Sequence, residues 1–273
     1  MIEEFKNAMR DCGIEPPRDI FPDGVLRRFK IKNKSCGWVI LHGGDYWAGA
    51  FGDWSKDFKA KWKQKEKEGV KKIYSKEEID RIKNHKKEEE INRRIKRSEA
   101  AVFSQNIWSL ANECISHTYL TKKRVKSYGL KAATNGILLV PIYNRFGALV
   151  NLQRIYADGT KKFMTGAEIT GCFFMIEGES DTIIICEGYA TGASIHEHYG
   201  CTVVVAFNAG NLPAVAKSIA EIYRGNEIII AADNDESGVG ERKAKEACLA
   251  IGCSYIMPDV VGMDFNDIIS MSL

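Results

Sequence analysis

Residues 181–192 read DTIIICEGYATG and residues 226–243 read NEIIIAADNDESGVGERK, and these two stretches decide the fold. Each begins with a short apolar run, reaches an acidic residue and continues into a helical pattern. Two further apolar runs, CTVVVAFN at 201–208 and CSYIMPD at 253–259, alternate with helical stretches at 189–199, 211–224 and 238–251. Apolar runs separated by helices predict a parallel sheet that is buried on both faces in an α/β domain.

Acidic residues follow the apolar runs where a parallel sheet collects its functional groups. Glu187 ends the first run, and Asp233 and Asp235 follow the third. The carboxyl ends of parallel strands meet at one edge of the sheet, so we expect these side chains to lie together. A further acidic pair, Asp264 and Asp267, lies in GMDFND. Crowded carboxylates favour a bound Mg²⁺ or Mn²⁺ ion, and the alternative is a set of surface acids in loops.

The chain before residue 181 is predicted to contain mainly antiparallel strands. Residues 136–177 hold GILLVPIYN, ALVNLQRIYA, KKFMTG and CFFMIEG, separated by turn signals, and predict an antiparallel β unit. The sequence of residues 1–55 predicts a helix that ends before a group of prolines and is followed by two or three short strands. Their aromatic residues form either the core of a small sheet, which we favour, or a base-stacking platform. The residues concerned are Trp38, Tyr46, Trp47, Phe51 and Trp54.

Charge is distributed unevenly along the chain, although the net charge is only +3. Residues 1–135 contain 30 Lys+Arg and 19 Asp+Glu, which gives +11, and residues 136–273 contain 9 and 17, which gives −8. The basic half favours a phosphate-bearing partner, and a solvated basic helix without a ligand is the alternative. Segment 56–98, with 17 Lys+Arg and 9 Asp+Glu, predicts a basic helical linker with a break at Gly69.

Composition and missing motifs exclude several classes of protein. The 273 residues are 45% hydrophobic and 27% charged, which is typical of a soluble chain of one or two domains. The eight cysteines include no C-x-x-C pair, so no zinc site is predicted and a reducing cytoplasm is expected. No apolar run approaches the roughly 18 residues of a membrane span, so no membrane partner is expected. No G-x-x-x-x-G-K-[ST] loop of a P-loop ATPase occurs.

The stretches ICEGYATG and AADNDESGVGERKA resemble, in order and spacing, the Toprim domain of bacterial-type primases, topoisomerases and related nucleases. The resemblance covers roughly residues 181–270. It implies that Glu187 is the catalytic acid/base and a metal ligand, and that Asp233 and Asp235 hold metal. GMDFND resembles a downstream acidic motif of primases, which adds Asp264 and Asp267 as metal candidates. The implied cofactor is Mg²⁺ or Mn²⁺, in two or more ions.

The preceding segment, LLVPIYNRFGALVNLQRIYADGTKKFMTG, resembles the β-rich subdomain that precedes Toprim in primases of the bacterial, phage and plasmid type. The resemblance implies that basic residues there contact nucleotide or template phosphates. The turn FNAGN of the Toprim segment either offers backbone N–H groups to a phosphate or is a plain turn and helix cap. Gly188 permits the tight turn EGY between strand and helix. The zinc ribbon of replicative primases has no counterpart here. The candidates for nucleotide or template binding are Arg154, Lys161, Lys162, Arg145, Gly188 and Asn208.

The expected fold class is α/β and α+β, with a parallel-sheet Toprim domain preceded by a β-rich primase subdomain, a helical basic linker and a small N-terminal β unit. The expected boundaries are 1–55 for the N-terminal mixed α/β unit and 56–98 for the linker. They are 99–178 for the helical plus β-rich primase-core subdomain and 179–273 for the Toprim domain.

The expected function is that of a DNA primase, which makes short RNA primers on single-stranded DNA by metal-dependent nucleotidyl transfer. The setting would be phage, plasmid or mobile-element replication in the cytoplasm of a bacterial cell. The expected partners are a single-stranded DNA template, ribonucleoside triphosphates, and a replicative helicase or another replication protein. Two alternatives stay open: a Toprim metal-dependent nuclease, and a non-catalytic, primase-derived replication factor that binds nucleic acid.

Overall fold

A computed structural model describes residues 1–44, 46–64 and 76–271. The chain divides into two units, Met1–Ile79 and Asp80–Leu273. The predicted break at Gly69 lies outside the described residues, and the boundaries expected after residues 55, 98 and 178 stay predictions.

The first unit is a four-stranded antiparallel sheet with a helix against one face. Helix α1 (Ile2–Asp11) precedes strands β1 (Arg27–Ile31), β2 (Lys34–His42), β3 (Ala48–Asp53) and β4 (Phe58–Lys63), which lie in sequence order. The helix packs Phe5 and Met9 against the buried side chains of Val39 and Leu41. Gly49 permits this contact, because a Cβ there would lie 2.7 Å from the Phe5 ring.

Strand β4 lies inside the segment that the charge pattern assigned to a helical linker. Phe58, Ala60 and Trp62 pack against the core of the first unit, and the lysines between them are exposed. This period of two residues is typical of a strand. The high lysine content hid the alternation, because it lowers the apolar content of the whole segment.

The aromatic residues of the first unit divide between the two faces of its sheet. Phe51 is buried in the core and Trp47 packs against it. Trp38 and Trp54 instead stack on each other, with ring centroids 6.0 Å apart and an interplanar angle of 28°. Phe51 and Trp47 therefore belong to the core of the sheet. For the stacked pair Trp38 and Trp54, the interpretation as a base-stacking surface stays open.

Most of helix α2 (Lys76–Leu110) belongs to the second unit and packs against an antiparallel sheet. That sheet contains, in sequence order, β5 (Asn112–Glu113), β6 (Lys131–Ala132), β7 (Leu138–Tyr143), β8 (Leu149–Ile155) and β9 (Lys161–Phe163). Helix α3 (Thr118–Lys123) lies between β5 and β6. Leu139, Leu152 and Met164 are buried with Ala111 at the end of α2. The predicted antiparallel unit is thus confirmed for these strands.

The C-terminal part of the second unit is a mixed sheet with helices on both faces. Its order is β10 (Phe174–Ile176), β12 (Cys201–Val205), β11 (Ser180–Cys186), β13 (Glu227–Ala231) and β14 (Ser254–Ile256). Strands β11 to β14 are parallel, as predicted. The helices are α4 (Tyr189–Tyr199), α5 (Leu212–Ile222), α6 (Val239–Ile251) and α7 (Phe265–Met271).

Strand β10 corrects one expectation, because CFFMIEG was assigned to the antiparallel unit. Phe174 pairs with Val205 and Ile176 pairs with Val203, so β10 is the antiparallel edge of the C-terminal sheet. These side chains are buried in one core that also contains residues of β7 and β8. Packing in this shared core decides the sheet to which the strand belongs, and its local sequence carries no such information.

None of the helices in the described residues has both the length and the hydropathy that a bilayer span requires.

Candidate active site

The two central parallel strands bring the predicted acids to one edge of the sheet. Strands β11 and β13 are neighbours, and Cys186 is in register with Ala231. Glu187 follows Cys186 directly, and Asp233 lies two residues beyond Ala231. The sequence IIIC is buried throughout, which fixes the strand and leaves the next side chain at its carboxyl end.

Glu187 is mostly buried, and its oxygen Oε1 has no hydrogen-bond partner in the described residues. Burial raises the pKa of this carboxyl to about 8, and the negative charges of Asp233 and Asp235 raise it as well. Hydrogen bonds from the backbone N–H groups of Asp233 and Ala209 oppose the rise. A carboxyl group with this pKa holds a proton near neutral pH unless a cation replaces the proton.

Asp233 has the same kind of environment. Its oxygen Oδ1 is buried without a hydrogen-bond partner in the part of the chain that the structure describes. Burial raises its pKa to about 7, and the charge of Asp264 adds to the rise, while Lys161 opposes it. Asp235 and Asp267 contribute further repulsion. The charges of Asp233 and Asp235 thus act on Glu187, and those of Asp235, Asp264 and Asp267 act on Asp233.

Asp235 differs because it is already bound by hydrogen-bond donors. Burial raises its pKa, but hydrogen bonds from Ser237 and from the start of α6 outweigh burial and lower it overall. The Ser237 N–H donates to Oδ1 at 2.8 Å, and the Gly240 N–H donates to Oδ2 at 3.0 Å. Asp235 is therefore ionised and held in place before any ligand binds.

Asp264 and Asp267 hold each other at the start of α7. The Asp267 N–H donates to Asp264 Oδ1 at 3.0 Å, and the Asp264 N–H donates to Asp267 Oδ2 at 3.2 Å. Lys123 lies 3.6 Å from Asp267 Oδ1. Asp264 thus accepts this bond on Oδ1, whereas Asp267 has a partner at each of its two oxygens.

Lys161 is the basic residue that the structure brings to the acids. It is in register with Ile155, whose side chain is buried in the core shared with the C-terminal sheet. Its charge opposes the rise in the pKa of Asp233, and its ammonium lies 5.4 Å from the centre of the Tyr119 ring. Lys161 and Lys162 lie on opposite faces of β9, because neighbours in a strand point to opposite faces.

Arg154 and Lys162 are in register with each other on the face of the sheet that Leu139 shares. Arg154 donates from Nη2 to the Phe163 carbonyl at 3.1 Å, and its Nε is buried without a partner in the described residues. It lines a cavity of about 480 Å³ with apolar residues such as Ile107. The structure does not bring this pair to the acidic cluster.

The remaining candidates occupy turns. Arg145 forms an ion pair with Glu221 of α5, at 2.7 Å. Gly188 is the residue before α4, and its carbonyl accepts a hydrogen bond from Cys186 Sγ. The Asn208 side chain accepts from the Asn211 N–H at 3.1 Å and so caps the next turn. Their roles in binding phosphate stay predictions.

The sequence reasoning missed Gly240, and it considered Asn211 only as part of the FNAGN turn, for a backbone N–H group. Gly240 lies against the site, since a Cβ there would be 2.4 Å from the Asp233 carbonyl oxygen and 3.1 Å from Glu187 Oε1. The spacing Gly238-x-Gly240 was its available signal. Asn211 is buried, accepts from the Gly171 N–H, and donates to the carbonyls of Cys172 and Ala206. It ties the turn beside Glu187 to the strand that leads into β10.

The donor chemistry of the site fits a divalent cation. All five acids offer hard oxygen ligands, and two buried oxygens have no donor, which is costly unless a cation or proton binds there. Among the described residues, no group of three or more His, Cys, Asp or Glu side chains has the geometry of a complete metal site.

Comparison with known proteins defines the class of the C-terminal part. Residues 182–273 match the model of the Toprim domain family, which confirms the resemblance found in the sequence. The chain is also 36% identical, over 131 residues, to DNA primase TraC of Escherichia coli, covering 44% of this chain and 12% of the relative. A second TraC primase from Escherichia coli is 35% identical over 131 residues, which is 9% of its length. The chain thus spans only a small part of these relatives.

Solved structures of primases are also similar to the chain. The primase fragment of the bacteriophage T7 primase–helicase covers 58% of this chain and 71% of its own, with 16% identity and a TM-score of 0.46. The DnaG primase catalytic domain bound to ssDNA covers 64% of this chain and 75% of its own, with 11% identity and a TM-score of 0.46.

Proposed function

We propose that this chain carries the nucleotidyl-transfer core of a DNA primase, which makes short RNA primers on single-stranded DNA. The observation that carries the proposal is that β11 and β13 bring Glu187 and Asp233 to one edge of the sheet, each with a buried oxygen that has no hydrogen-bond partner in the described residues. The charge of Lys161, from the antiparallel sheet, acts on Asp233. A lysine that can bind phosphate, together with acids that can bind metal ions, suits a nucleoside triphosphate as the ligand. The similarity to TraC primases supports the same conclusion.

The proposed cofactor is Mg²⁺ or Mn²⁺, in two or more ions, held by the five acids described above. Such ions stabilise the attacking and leaving oxygens of phosphoryl transfer. Glu187 and Asp233 supply buried oxygens without donors, whereas Asp235 supplies a carboxylate fixed by Ser237 and Gly240. Asp264 and Asp267 complete the cluster from the start of α7.

The chain's own side chains have separate tasks in this proposal. Glu187, in its ionised form, is assigned to accept the proton of the primer 3′-hydroxyl. Lys161 binds the phosphates of the incoming ribonucleotide as a charge-matched anchor. Arg154 and Lys162, on the opposite face of the sheet, are assigned to the template strand. The ion pair of Arg145 with Glu221 favours a structural role for that arginine.

The biological setting follows from the proposed reaction. The template is single-stranded DNA, the substrates are ribonucleoside triphosphates, and the partner is a replicative helicase or another replication protein. The reaction belongs in the cytoplasm of a bacterial cell, with the gene carried by the chromosome, a phage or a plasmid.

The test is primer synthesis by the full chain on single-stranded templates with Mg²⁺ or Mn²⁺. We expect labelled ribonucleotides to be incorporated by wild type and lost in Glu187→Gln and Asp233→Asn. Asp181→Asn is the matched control, since this exposed acid lies at the opposite end of β11. Cleavage of labelled DNA without nucleotides would instead identify a Toprim nuclease. Tight binding without synthesis or cleavage under either metal would identify a non-catalytic replication factor.

A further inference from the structure

The first unit presents a sheet face that no part of its own helix covers. Helix α1 packs on the inner face, and we call the opposite side of β1–β4 the outer face. The register places Arg28, Trp38, Gly52 and Lys59 side by side across the four strands of this outer face.

An aromatic pair lies at the centre of the outer face. Trp38 and Trp54 stack, and the Arg28 guanidinium lies 4.4 Å from the centre of the Trp54 ring. Trp54 is 42% exposed. A Cβ at Gly52 would lie 2.7 Å from Trp38 Nε1, so the glycine permits the indole to lie flat across β3.

The strands that form the outer face carry mostly positive charge. The four strands contain seven Lys or Arg residues and a single acid, Asp53. Asp53 is only 3% exposed and accepts hydrogen bonds from the N–H and hydroxyl of Ser55. Every second residue of the edge strand β4 is an exposed lysine: Lys59, Lys61 and Lys63. Within the described residues none of these three forms an ion pair.

We propose that the outer face binds single-stranded DNA. Unpaired bases stack on the Trp38–Trp54 pair, and the phosphates follow the lysine row of β4, which extends for about 14 Å. Stacking on exposed aromatic rings requires unpaired bases, because the base faces of a duplex are already covered. An acidic peptide would contact the lysines alone, whereas an anionic membrane also accommodates exposed indoles, so vesicle binding is one arm of the test.

This inference rests on the proposed function for its biological role, because a primase needs a surface that holds a single strand. The binding itself requires neither metal nor nucleotide. It is therefore measured in EDTA, where the acidic cluster is inactive, and its failure is distinguishable from failure of the proposed reaction.

The first experiment measures the affinity of the full chain for a fluorescein-labelled 20-mer of thymidine by anisotropy. Loss of one stacking ring costs about 1–3 kcal/mol, so Trp54→Ala should weaken binding roughly 5- to 100-fold. Trp54→Phe should recover part of the loss. Phe21→Ala is the matched control, because Phe21 is also exposed and also lies under an arginine, at 4.8 Å from Arg27. We expect it to change affinity less than about twofold, as for a surface site off the binding face.

The second experiment measures the salt dependence of the same binding. Each lysine that neutralises a phosphate of a single strand contributes about −0.7 to the slope of log K against log salt. Lys61→Gln should reduce the slope by about that amount, whereas Lys217→Gln, which removes an equally exposed charge on α5, should leave it unchanged. Near-ultraviolet circular dichroism confirms that each variant is folded.

Several outcomes would overturn the proposal. One is normal binding by Trp54→Ala; another is equal affinity for duplex and single-stranded DNA; a third is stronger binding to phosphatidylserine vesicles than to the oligonucleotide. Primer synthesis by wild type together with normal binding by Trp54→Ala would reject this surface and leave the proposed function intact. Tight, Trp54-dependent binding without any synthesis would support this surface and reject the proposed function.

Discussion

Replacing Asp233 by asparagine tests whether the site holds a buried carboxylate with an oxygen that no donor satisfies. Asparagine keeps the size of the side chain and removes its charge at every pH. Without metal, the ionised carboxylate destabilises the folded state, because burial and the charge of Asp264 oppose ionisation. The substitution should therefore make the protein more stable in EDTA. It should also abolish nucleotide addition, because it removes one of the proposed metal ligands.

The magnitude follows from the two pKa values of Asp233. In the folded state the pKa is about 7, against an ordinary value of 3.8. The folded state thus binds more protons than the unfolded state between these values, so the free energy of unfolding falls as pH rises. At about 1.4 kcal/mol per pKa unit, the destabilisation grows from about 0.5 kcal/mol at pH 4 to about 4 kcal/mol at pH 8.

Urea unfolding of wild type and Asp233→Asn in EDTA, at several values between pH 4 and pH 8, measures this difference. The variant should be more stable than wild type, with a margin that widens up to neutral pH and then levels off. Asp181→Asn, which alters an exposed acid, should show no such margin. Added Mg²⁺ should stabilise wild type more than the variant. A margin that is zero or independent of pH would refute the buried, unsatisfied carboxylate.

Three further substitutions test other parts of the site. Gly240→Ala should lower the free energy of unfolding by about 1–3 kcal/mol and remove most of the activity, because the new Cβ would lie 2.4 Å from the Asp233 carbonyl oxygen. Urea unfolding measures the stability and primer synthesis measures the activity. Full activity would argue against the close approach. Lys161→Gln should raise the KM for ribonucleotides about tenfold, whereas Lys162→Gln, on the other face, should change it less than about threefold; equal effects would contradict the assignment. Asn211→Ala should lower the free energy of unfolding, measured by heat or urea, by about 2–4 kcal/mol, because buried backbone groups lose their hydrogen-bond partners. An unchanged stability would contradict the structural role of these hydrogen bonds.

The C-terminal sheet was predictable because its signal is local. Runs such as IIIC before Glu187 and IIIAA before Asp233 are too apolar for an exposed strand, and helical stretches separate them. The parallel order and the gathering of the acids follow from that pattern.

Other features depend on contacts that are distant in sequence. Phe174 lies in a run that reads as another antiparallel strand, yet pairing with Val205 places it in the C-terminal sheet. Which of Lys161 and Lys162 shares a face with buried Ile155 depends on the register with β8, and one residue of slip would reverse it. Gly240 matters because a helix start approaches Asp233, and the Gly238-x-Gly240 spacing alone does not show which residue it approaches.

The edge strand β10 links the antiparallel sheet and the C-terminal sheet of the second unit. It is contributed by the segment before residue 179, yet it pairs with β12 and is buried with residues of β7 and β8 in one core. A gene fragment that began at residue 179 would encode a sheet with an open, apolar edge, a known route to aggregation. A fragment of this chain that keeps the paired edge and the shared core therefore includes the antiparallel sheet together with the Toprim domain.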